Sequence, residues 1–282
     1  MFTDLHVHTT ASDGKYSPAE IVALAAAKGL RYLGITDHDS TAGLSEAIST
    51  AHHHPSLTLF PGVEVSTDIP HGEVHVLGYF VDYANEAFQK ALARLRNSRI
   101  DRAKRMITKL AHLGVHLPWE RVRQVAGEGS VGRPHIAQVM VEYGYVASIE
   151  EAFTHYIGRN GPAYAEREKL TPVEAVKFIV GVEGLPVLAH PADIENLEGL
   201  LVDLKRGGLV GMEAYYDGYF AEIKEWLASM AQEHGLIACG GSDFHGLPTR
   251  VETPIGEVEV PEEAAEALFS LVKRKITKEV HP

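Results

Sequence analysis

The stretch Asp4-Leu-His6-Val-His8-Thr-Thr-Ala-Ser-Asp13 places two histidines two residues apart in an apolar segment and a carboxylate just beyond it. Leu5 to Thr9 is typical of a buried β-strand, in which alternate residues face the same side. His6 and His8 can therefore share one cation, and Asp13, after the turn, can serve a neighbouring one. The stretch predicts a first strand that ends in a metal site.

The rest of the chain alternates predicted strands and helices. Ser17-Pro18-Ala19-Glu20 and Thr171-Pro172-Val173-Glu174 are both capping boxes with proline at the first helical position. Seven strands are predicted, at residues 5–9, 32–36, 57–65, 73–80, 185–189, 209–215 and 236–240. This alternation indicates an α/β protein built on an incomplete (β/α) barrel.

The strand pattern is interrupted once, between residues 85 and 167, where only helical periodicity remains. We therefore predict a barrel formed by residues 1–84 and 168–282 and an inserted helical subdomain at 85–167. Residues 85–135 hold eleven basic and four acidic residues, a net charge of +7 in a chain of net charge −12. These bases could form a solvated helix face or a phosphate-attracting surface above an acidic body.

Composition excludes several classes of protein. The chain of 282 residues is 45% hydrophobic but has no uninterrupted apolar stretch of membrane-spanning length. Its single cysteine excludes an internal disulfide. The basic segment has few aromatic residues, Phe88 and Trp119 among them, which argues against a long stacking track for single-stranded nucleic acid. We expect a cytoplasmic protein that does not act at a membrane.

Nine potential metal ligands lie on or just beyond the predicted strands. They are His6, His8, Asp13, His38, Glu64, His75, His190, Asp243 and His245. Strand ends meet at one face of a barrel, and burying so many polar groups together without a cation would be costly. Mixed imidazole and carboxylate ligands suit Mn²⁺, Zn²⁺ or Fe²⁺ better than Mg²⁺ or Ca²⁺.

In order along the chain, these motifs resemble those of the polymerase and histidinol phosphatase (PHP) domain family. The matching segments are Asp4 to Gly14, Ile35-Thr-Asp-His-Asp39, Gly62-Val-Glu64-Val-Ser66, His75 with Leu77-Gly78-Tyr79, Ala189-His190-Pro191 and Gly241-Ser-Asp-Phe-His245. The resemblance implies a distorted seven-stranded barrel with two or three divalent metal ions. The implied ligand sets are His6, His8, Glu64 and Asp243 for one metal, Glu64, His75 and His190 for a second, and Asp13, His38 and His245 for a third.

The insertion resembles a branch of that family that includes nucleoside 3′,5′-bisphosphate phosphatases and 5′-to-3′ exoribonucleases. Its segments Gly132-Arg133-Pro-His135-Ile-Ala and Tyr156-Ile-Gly-Arg159-Asn-Gly161 carry the likeness. The resemblance implies substrate binding by Arg133, His135 and Arg159; alternatively, Arg133 and His135 only cap the helix near Pro134. The chain departs from the branch at residues 192–194, Ala-Asp-Ile, where that branch has Gly-Arg-Tyr.

From these features we expect a metal-dependent phosphoesterase whose metal-bridged hydroxide attacks a nucleotide or the 5′ end of a short oligonucleotide. His245 or His190 could carry the proton to the leaving group. A histidinol-phosphate-type phosphomonoesterase would leave the basic insertion without a role. A non-catalytic module that docks with a protein partner would predict missing ligands, whereas all nine positions are filled.

Overall fold

The computed structural model describes residues 2–69, 72–127, 131–247 and 252–280. The strands are β1 (Thr3–Asp4), β2 (Tyr32–Ile35), β3 (Thr58–Ile69), β4 (Gly72–Tyr79), β5 (Leu185–Leu188), β6 (Gly211–Tyr216) and β7 (Ile237–Gly241). The α-helices are α1 (Pro18–Ala27), α2 (Leu44–Ala51), α3 (Glu86–His112), α4 (Trp119–Ala126), α5 (Arg133–Glu142), α6 (Ile149–Ala152), α7 (Pro172–Val180), α8 (Leu197–Gly207), α9 (Ala221–Glu233) and α10 (Glu262–Val280). A π-helix at Phe153–Ile157 follows α6, and a 3-10 turn at Pro191–Asp193 follows β5.

The chain divides into two compact units. The first unit contains residues 1–89 and 170–282, and the second contains residues 90–169. Residues 85–89, which were predicted to belong to the insertion, lie in the first unit. None of the helices in the described residues is both long and apolar enough to span a membrane.

The seven strands of the first unit form one sheet in which each strand pairs with the next along the chain. The sheet curves until its ends meet: the Leu5 amide donates to the Gly240 carbonyl at 3.2 Å, and Val7 forms a parallel bridge with Phe244. The result is a nearly closed barrel, which confirms the predicted fold class. The carboxyl ends of β1, β2, β5 and β7 form one rim of this barrel, and the residues that follow these strands come together there.

Strand β4 departs from a regular strand-and-helix barrel because it runs antiparallel to both β3 and β5. Only residues 70 and 71 separate β3 from β4, and so short a link cannot make the crossover that a parallel pair needs. The start of β4 therefore reaches the rim at which the parallel strands end. His75 lies within β4, as predicted, opposite Ser66 of β3.

The first strand is shorter than predicted and ends before the predicted residues 5–9. Regular pairing with β2 is limited to Thr3 and Asp4. Beyond Val7 the backbone turns away, because the Thr9 amide donates to Asp37 Oδ1 at 2.8 Å and the Thr10 amide donates to the Tyr16 carbonyl at 2.9 Å. The predicted capping boxes at the starts of α1 and α7 are both present.

An apolar core fills the barrel beneath the rim. It includes the fully buried Leu5, Phe60, Leu77, Val187 and Ala189. Each large apolar side chain that is fully buried contributes about 1.5–3 kcal/mol to folding. Because Leu5 directly precedes His6 and Ala189 directly precedes His190, this packing also anchors the backbone that carries two of the predicted ligands.

The second unit is helical and has its own core. Met106 and Leu110 of α3 pack in one cluster with Ile136 and Met140 of α5. Each pair is spaced by four residues, as expected for the buried face of a helix.

Candidate metal centre

A first group of potential ligands converges at the rim from β3 and from the segments that follow β1 and β7. The Nε2 atoms of His6 and His8 lie 3.1 Å apart. Asp243 Oδ1 lies 3.3 Å from His6 Nε2 and 2.9 Å from His8 Nε2. Glu64 Oε2 lies 3.4 Å and 3.3 Å from the same two nitrogens. These four side chains could hold one metal ion.

Glu64 also faces a second group of imidazoles through its other oxygen. Its Oε1 lies 2.8 Å from His75 Nδ1 and 3.2 Å from His190 Nε2, and those two nitrogens are 3.2 Å apart. Its Oε2 lies 2.8 Å from His38 Nδ1. The carboxylate of Glu64 is thus placed between two groups, the position that a bridging ligand requires.

A third group surrounds Asp13. Its Oδ1 lies 3.4 Å from His245 Nε2 and 3.7 Å from His8 Nδ1, and its Oδ2 lies 3.8 Å from His38 Nε2. Asp13, His8, His38 and His245 could hold a metal ion. The structure therefore brings all nine predicted ligand residues together at the rim of the first unit.

The donor atoms fit cations better than they fit one another. Asp13 Oδ1, His38 Nδ1 and Glu64 Oε2 are buried without a hydrogen-bond partner in the described part of the chain. His38 Nδ1 and Glu64 Oε2 are only 2.8 Å apart but are not in hydrogen-bond geometry. Buried polar atoms that are left unsatisfied cost free energy, and cations bound within the groups described above would remove that cost.

The protonation tendencies of the cluster agree with a metal site. Burial raises the pKa of Glu64, but the charges of His38 and His75 lower it more, so the pKa lies well below its usual range. Burial lowers the pKa of His8, but the neighbouring carboxylates of Asp243 and Glu64 raise it to about 10. Protons and cations compete for the same imidazole nitrogens, so metal binding here should release protons.

Three residues near the rim have unusual backbone angles. Asp39, His190 and Asp243 have φ values of 49°, 28° and 51°, in the left-handed region that disfavours residues other than glycine. Such strain persists where surrounding contacts fix the backbone, and it is common at functional sites.

A hydrogen bond fixes the orientation of the His245 ring. Its Nδ1 donates to the Asp243 carbonyl at 2.8 Å, so its Nε2 faces Asp13.

Glu213 of β6 is a buried site residue that was not predicted from the sequence. Both of its oxygens lie 3.1 Å from His6 Nδ1, and its Oε2 accepts a hydrogen bond from the His190 amide at 2.9 Å. The one available signal was an acidic residue within the apolar segment Gly211-Met-Glu-Ala-Tyr215.

The predicted substrate-binding residues lie in the second unit. His135 Nδ1 accepts a hydrogen bond from the Gly132 amide at 2.9 Å, so His135 caps α5 and carries its proton on Nε2 when neutral. The guanidinium carbon of Arg133 lies 5.3 Å from the ring centroid of Phe153 and 5.9 Å from that of Tyr164. Arg159 is half-buried just after the π-helix.

Comparison with known proteins gives consistent matches over most of the chain. The family model described as PHP domain matches residues 4–277. The chain is 32% identical over 247 residues to a 3′,5′-nucleoside bisphosphate phosphatase of Chromobacterium violaceum, covering 86% of each protein. It is 34% identical over 247 residues to a 5′-3′ exoribonuclease of Haemophilus influenzae, covering 86% of this chain and 89% of the relative. A crystal structure from Bifidobacterium adolescentis, described as a candidate metal-dependent phosphoesterase, superposes with a TM-score of 0.83 at 29% identity and covers 96% of each chain.

Proposed function

The chain belongs to the PHP domain family, and from this we propose that it is a metal-dependent phosphoesterase acting on small nucleotides, such as 3′,5′-bisphosphates, or on the 5′ ends of short oligonucleotides. One relative of similar length is named a 3′,5′-nucleoside bisphosphate phosphatase, and another is named a 5′-3′ exoribonuclease. Both reactions hydrolyse a phosphate ester of a nucleotide, so the same metal-assisted mechanism could account for either reaction.

The observation that carries the proposal is the convergence of six imidazoles with the carboxylates of Asp13, Glu64 and Asp243 at one rim of the barrel. The buried and unsatisfied atoms Asp13 Oδ1, His38 Nδ1 and Glu64 Oε2 support cations as the missing partners. A non-catalytic module would not need a complete set of ligands, whereas metal-dependent hydrolysis of a phosphate ester needs one.

The proposed assignment is for two or three cations. His6, His8, Glu64 and Asp243 would hold one, Glu64, His75 and His190 a second, and Asp13, His38 and His245 a third. When bound, such ions lower the pKa of a coordinated water and neutralise the phosphoryl oxygens. Mn²⁺, Zn²⁺ and Fe²⁺ all suit these donor types.

The chain's own residues would supply orientation and proton transfer. Arg133 offers a planar guanidinium that can form two parallel hydrogen bonds to phosphate, with His135 and Arg159 as further contacts. The second unit would thus be the substrate-binding part of the molecule. His190 or His245 would deliver the proton that the leaving alkoxide needs.

A phosphate-release screen tests the proposal. Protein stripped with a chelator is reloaded with Mn²⁺, Zn²⁺ or Fe²⁺ and assayed with adenosine 3′,5′-bisphosphate, 5′-phosphorylated di- and trinucleotides, and histidinol phosphate. Glu64→Gln protein, purified in parallel, controls for a contaminating phosphatase. We expect hydrolysis of one or more of the nucleotide substrates by the wild type only.

Two results would overturn the proposal in different ways. Activity on histidinol phosphate alone would replace the nucleotide with an amino-alcohol ester as the substrate class. Failure to hydrolyse any phosphate ester with every metal, in protein that binds the metals, would favour a docking module over an enzyme.

A further inference from the structure

Strand β6 contributes none of the nine proposed ligands, yet it sends two polar side chains toward them. Pairing with β7 is in register at Glu213 opposite Cys239, then shifts so that Tyr215 lies opposite Gly240 and Tyr216 opposite Gly241. Ala214 is the extra residue of this β-bulge. In a regular strand, residues 213 and 216 would face opposite sides; the bulge puts them on the same side.

Glu213 connects two of the proposed ligands. Its carboxylate is fully buried and accepts hydrogen bonds from the imidazole of His6 and from the backbone amide of His190. Because a carboxylate accepts from Nδ1–H, the contact directs His6 Nε2 toward His8 and Asp243. The second contact holds the backbone of His190 in its strained conformation, with φ of 28°.

Tyr216 acts on a third proposed ligand. Its hydroxyl donates to Asp243 Oδ2 at 2.7 Å, whereas Asp243 Oδ1 faces the Nε2 atoms of His6 and His8. The Tyr216 ring also packs 5.4 Å from the ring of His190. The hydroxyl therefore selects which carboxylate oxygen is presented to a cation.

We propose that Glu213 and Tyr216, made co-facial by the bulge in β6, are positioning residues that set the ring of His6, the backbone of His190 and the carboxylate of Asp243 for metal binding. The inference rests on the proposed function, since it concerns the same cluster. Outer hydrogen bonds of this kind fix the tautomer and direction of a ligand, and losing one typically weakens metal binding by about 10- to 100-fold.

The test uses the full-length protein and Zn²⁺. Affinity is measured by competition with a chromogenic chelator, and the metal-free proteins are compared by circular dichroism. Glu213→Gln keeps the shape of the side chain but removes its charge, and we expect it to weaken Zn²⁺ binding by about 10- to 100-fold. Tyr216→Phe removes one hydrogen bond, and we expect a loss of up to about tenfold.

Two matched variants separate positioning from general loosening of the barrel. Asp217→Asn makes the same change one residue beyond β6, at a carboxylate that contacts Thr253. Tyr79→Phe removes a buried hydroxyl that donates to the Leu5 carbonyl. Neither side chain contacts the side chain of a proposed ligand in the described hydrogen bonds, so we expect both variants to keep wild-type affinity.

A second readout does not depend on metal. In metal-free protein labelled with ¹⁵N-histidine, His6 should show a slowly exchanging Nδ1–H that is absent from His6→Asn and from Glu213→Gln.

Wild-type Zn²⁺ affinity in Glu213→Gln, or an equal loss of Zn²⁺ affinity in Asp217→Asn, would overturn the inference. If Glu213→Gln does not fold, Tyr216→Phe against Tyr79→Phe decides it. If the wild type binds no Zn²⁺, the proposed function fails, and the His6 resonance alone decides whether Glu213 positions that ring.

Discussion

His38 Nδ1 lies 2.8 Å from Glu64 Oε2, and neither atom has a hydrogen-bond partner in the described chain. A cation bound between these two potential ligands would satisfy both atoms. The other oxygen of Glu64 lies 2.8 Å from His75 Nδ1 and shares a 3.2 Å hydrogen bond with His190 Nε2. Glu64 is the side chain on which most of the centre depends.

We predict that Glu64→Gln lowers both metal content and catalysis. The amide has no negative charge and cannot bridge two cations, so several kcal/mol of transition-state stabilisation should be lost. The expected fall in kcat/KM is roughly a thousandfold. Elemental analysis should show at least one metal fewer per chain. His53→Ala removes an exposed histidine outside the cluster and should change neither quantity. Full metal content in Glu64→Gln would contradict the bridging role.

Metal binding should also stabilise the fold. An ion that binds the native state at 100 times its Kd adds about 2.7 kcal/mol. For a chain of this size, that corresponds to a rise in Tm of roughly 5–10 °C for each saturated site. Calorimetry of chelator-treated protein, before and after addition of Mn²⁺, Zn²⁺ or Fe²⁺, measures the shift. An unchanged Tm with all three ions would count against a native-state site, and Glu64→Gln should show a smaller rise than wild type.

Part of the centre could be predicted because its ligands are local in sequence. His6 with His8, and Asp243 with His245, are spaced by two residues, and each pair comes together in the structure. For His6 and His8, two-residue spacing needs only a locally extended backbone, so the two rings meet even though both residues lie beyond β1. The Asp243–His245 pair comes together differently, because Asp243 has a φ of 51°.

Other parts depend on long-range geometry that spacing does not reveal. The place of His75 follows from the reversed direction of β4, and the aim of Glu213 and Tyr216 follows from a bulge opposite β7. In both cases the neighbouring strand decides which way a side chain faces. The periodicity of one segment contains no information about the adjacent strand, so the sequence pattern identifies Glu213 only as part of an apolar strand.

Arg133→Ala is predicted to weaken the reaction without affecting the metals. If its guanidinium grips a phosphoryl oxygen in a charge-assisted bond, kcat/KM for the preferred nucleotide should fall by about a hundredfold. Metal content and Tm should remain those of the wild type. Arg121→Ala is the matched control in the same unit, because Arg121 is exposed and bonded to Glu142. Wild-type kinetics for Arg133→Ala would leave the start of α5 with a purely structural role.

Phe153 should act through Arg133. The guanidinium lies 5.3 Å from the Phe153 ring centroid, a distance at which a cation–π contact is worth roughly 0.5–2 kcal/mol. Phe153→Leu should therefore reduce kcat/KM roughly twofold to thirtyfold. Combined with Arg133→Ala, it should have little further effect, because the contact it removes is already gone. Additive losses in the double variant would show that Phe153 acts independently of Arg133.

His190 and His245 are the two candidates proposed above to deliver the proton to the leaving group, and their hydrogen bonds distinguish them. His245 Nδ1 donates to the Asp243 carbonyl, so only Nε2 is directed at the cluster, where it faces Asp13. We expect His245→Gln to lose bound metal and to slow the hydrolysis of all esters alike.

A general acid behaves differently, because an ester with an acidic leaving group, such as p-nitrophenol, does not need a proton from the enzyme. If His190 is that acid, His190→Gln should lose roughly a hundredfold more activity on a nucleotide ester than on a p-nitrophenyl ester. Equal losses on both esters, together with loss of metal, would make His190 a ligand only and leave the proton to water.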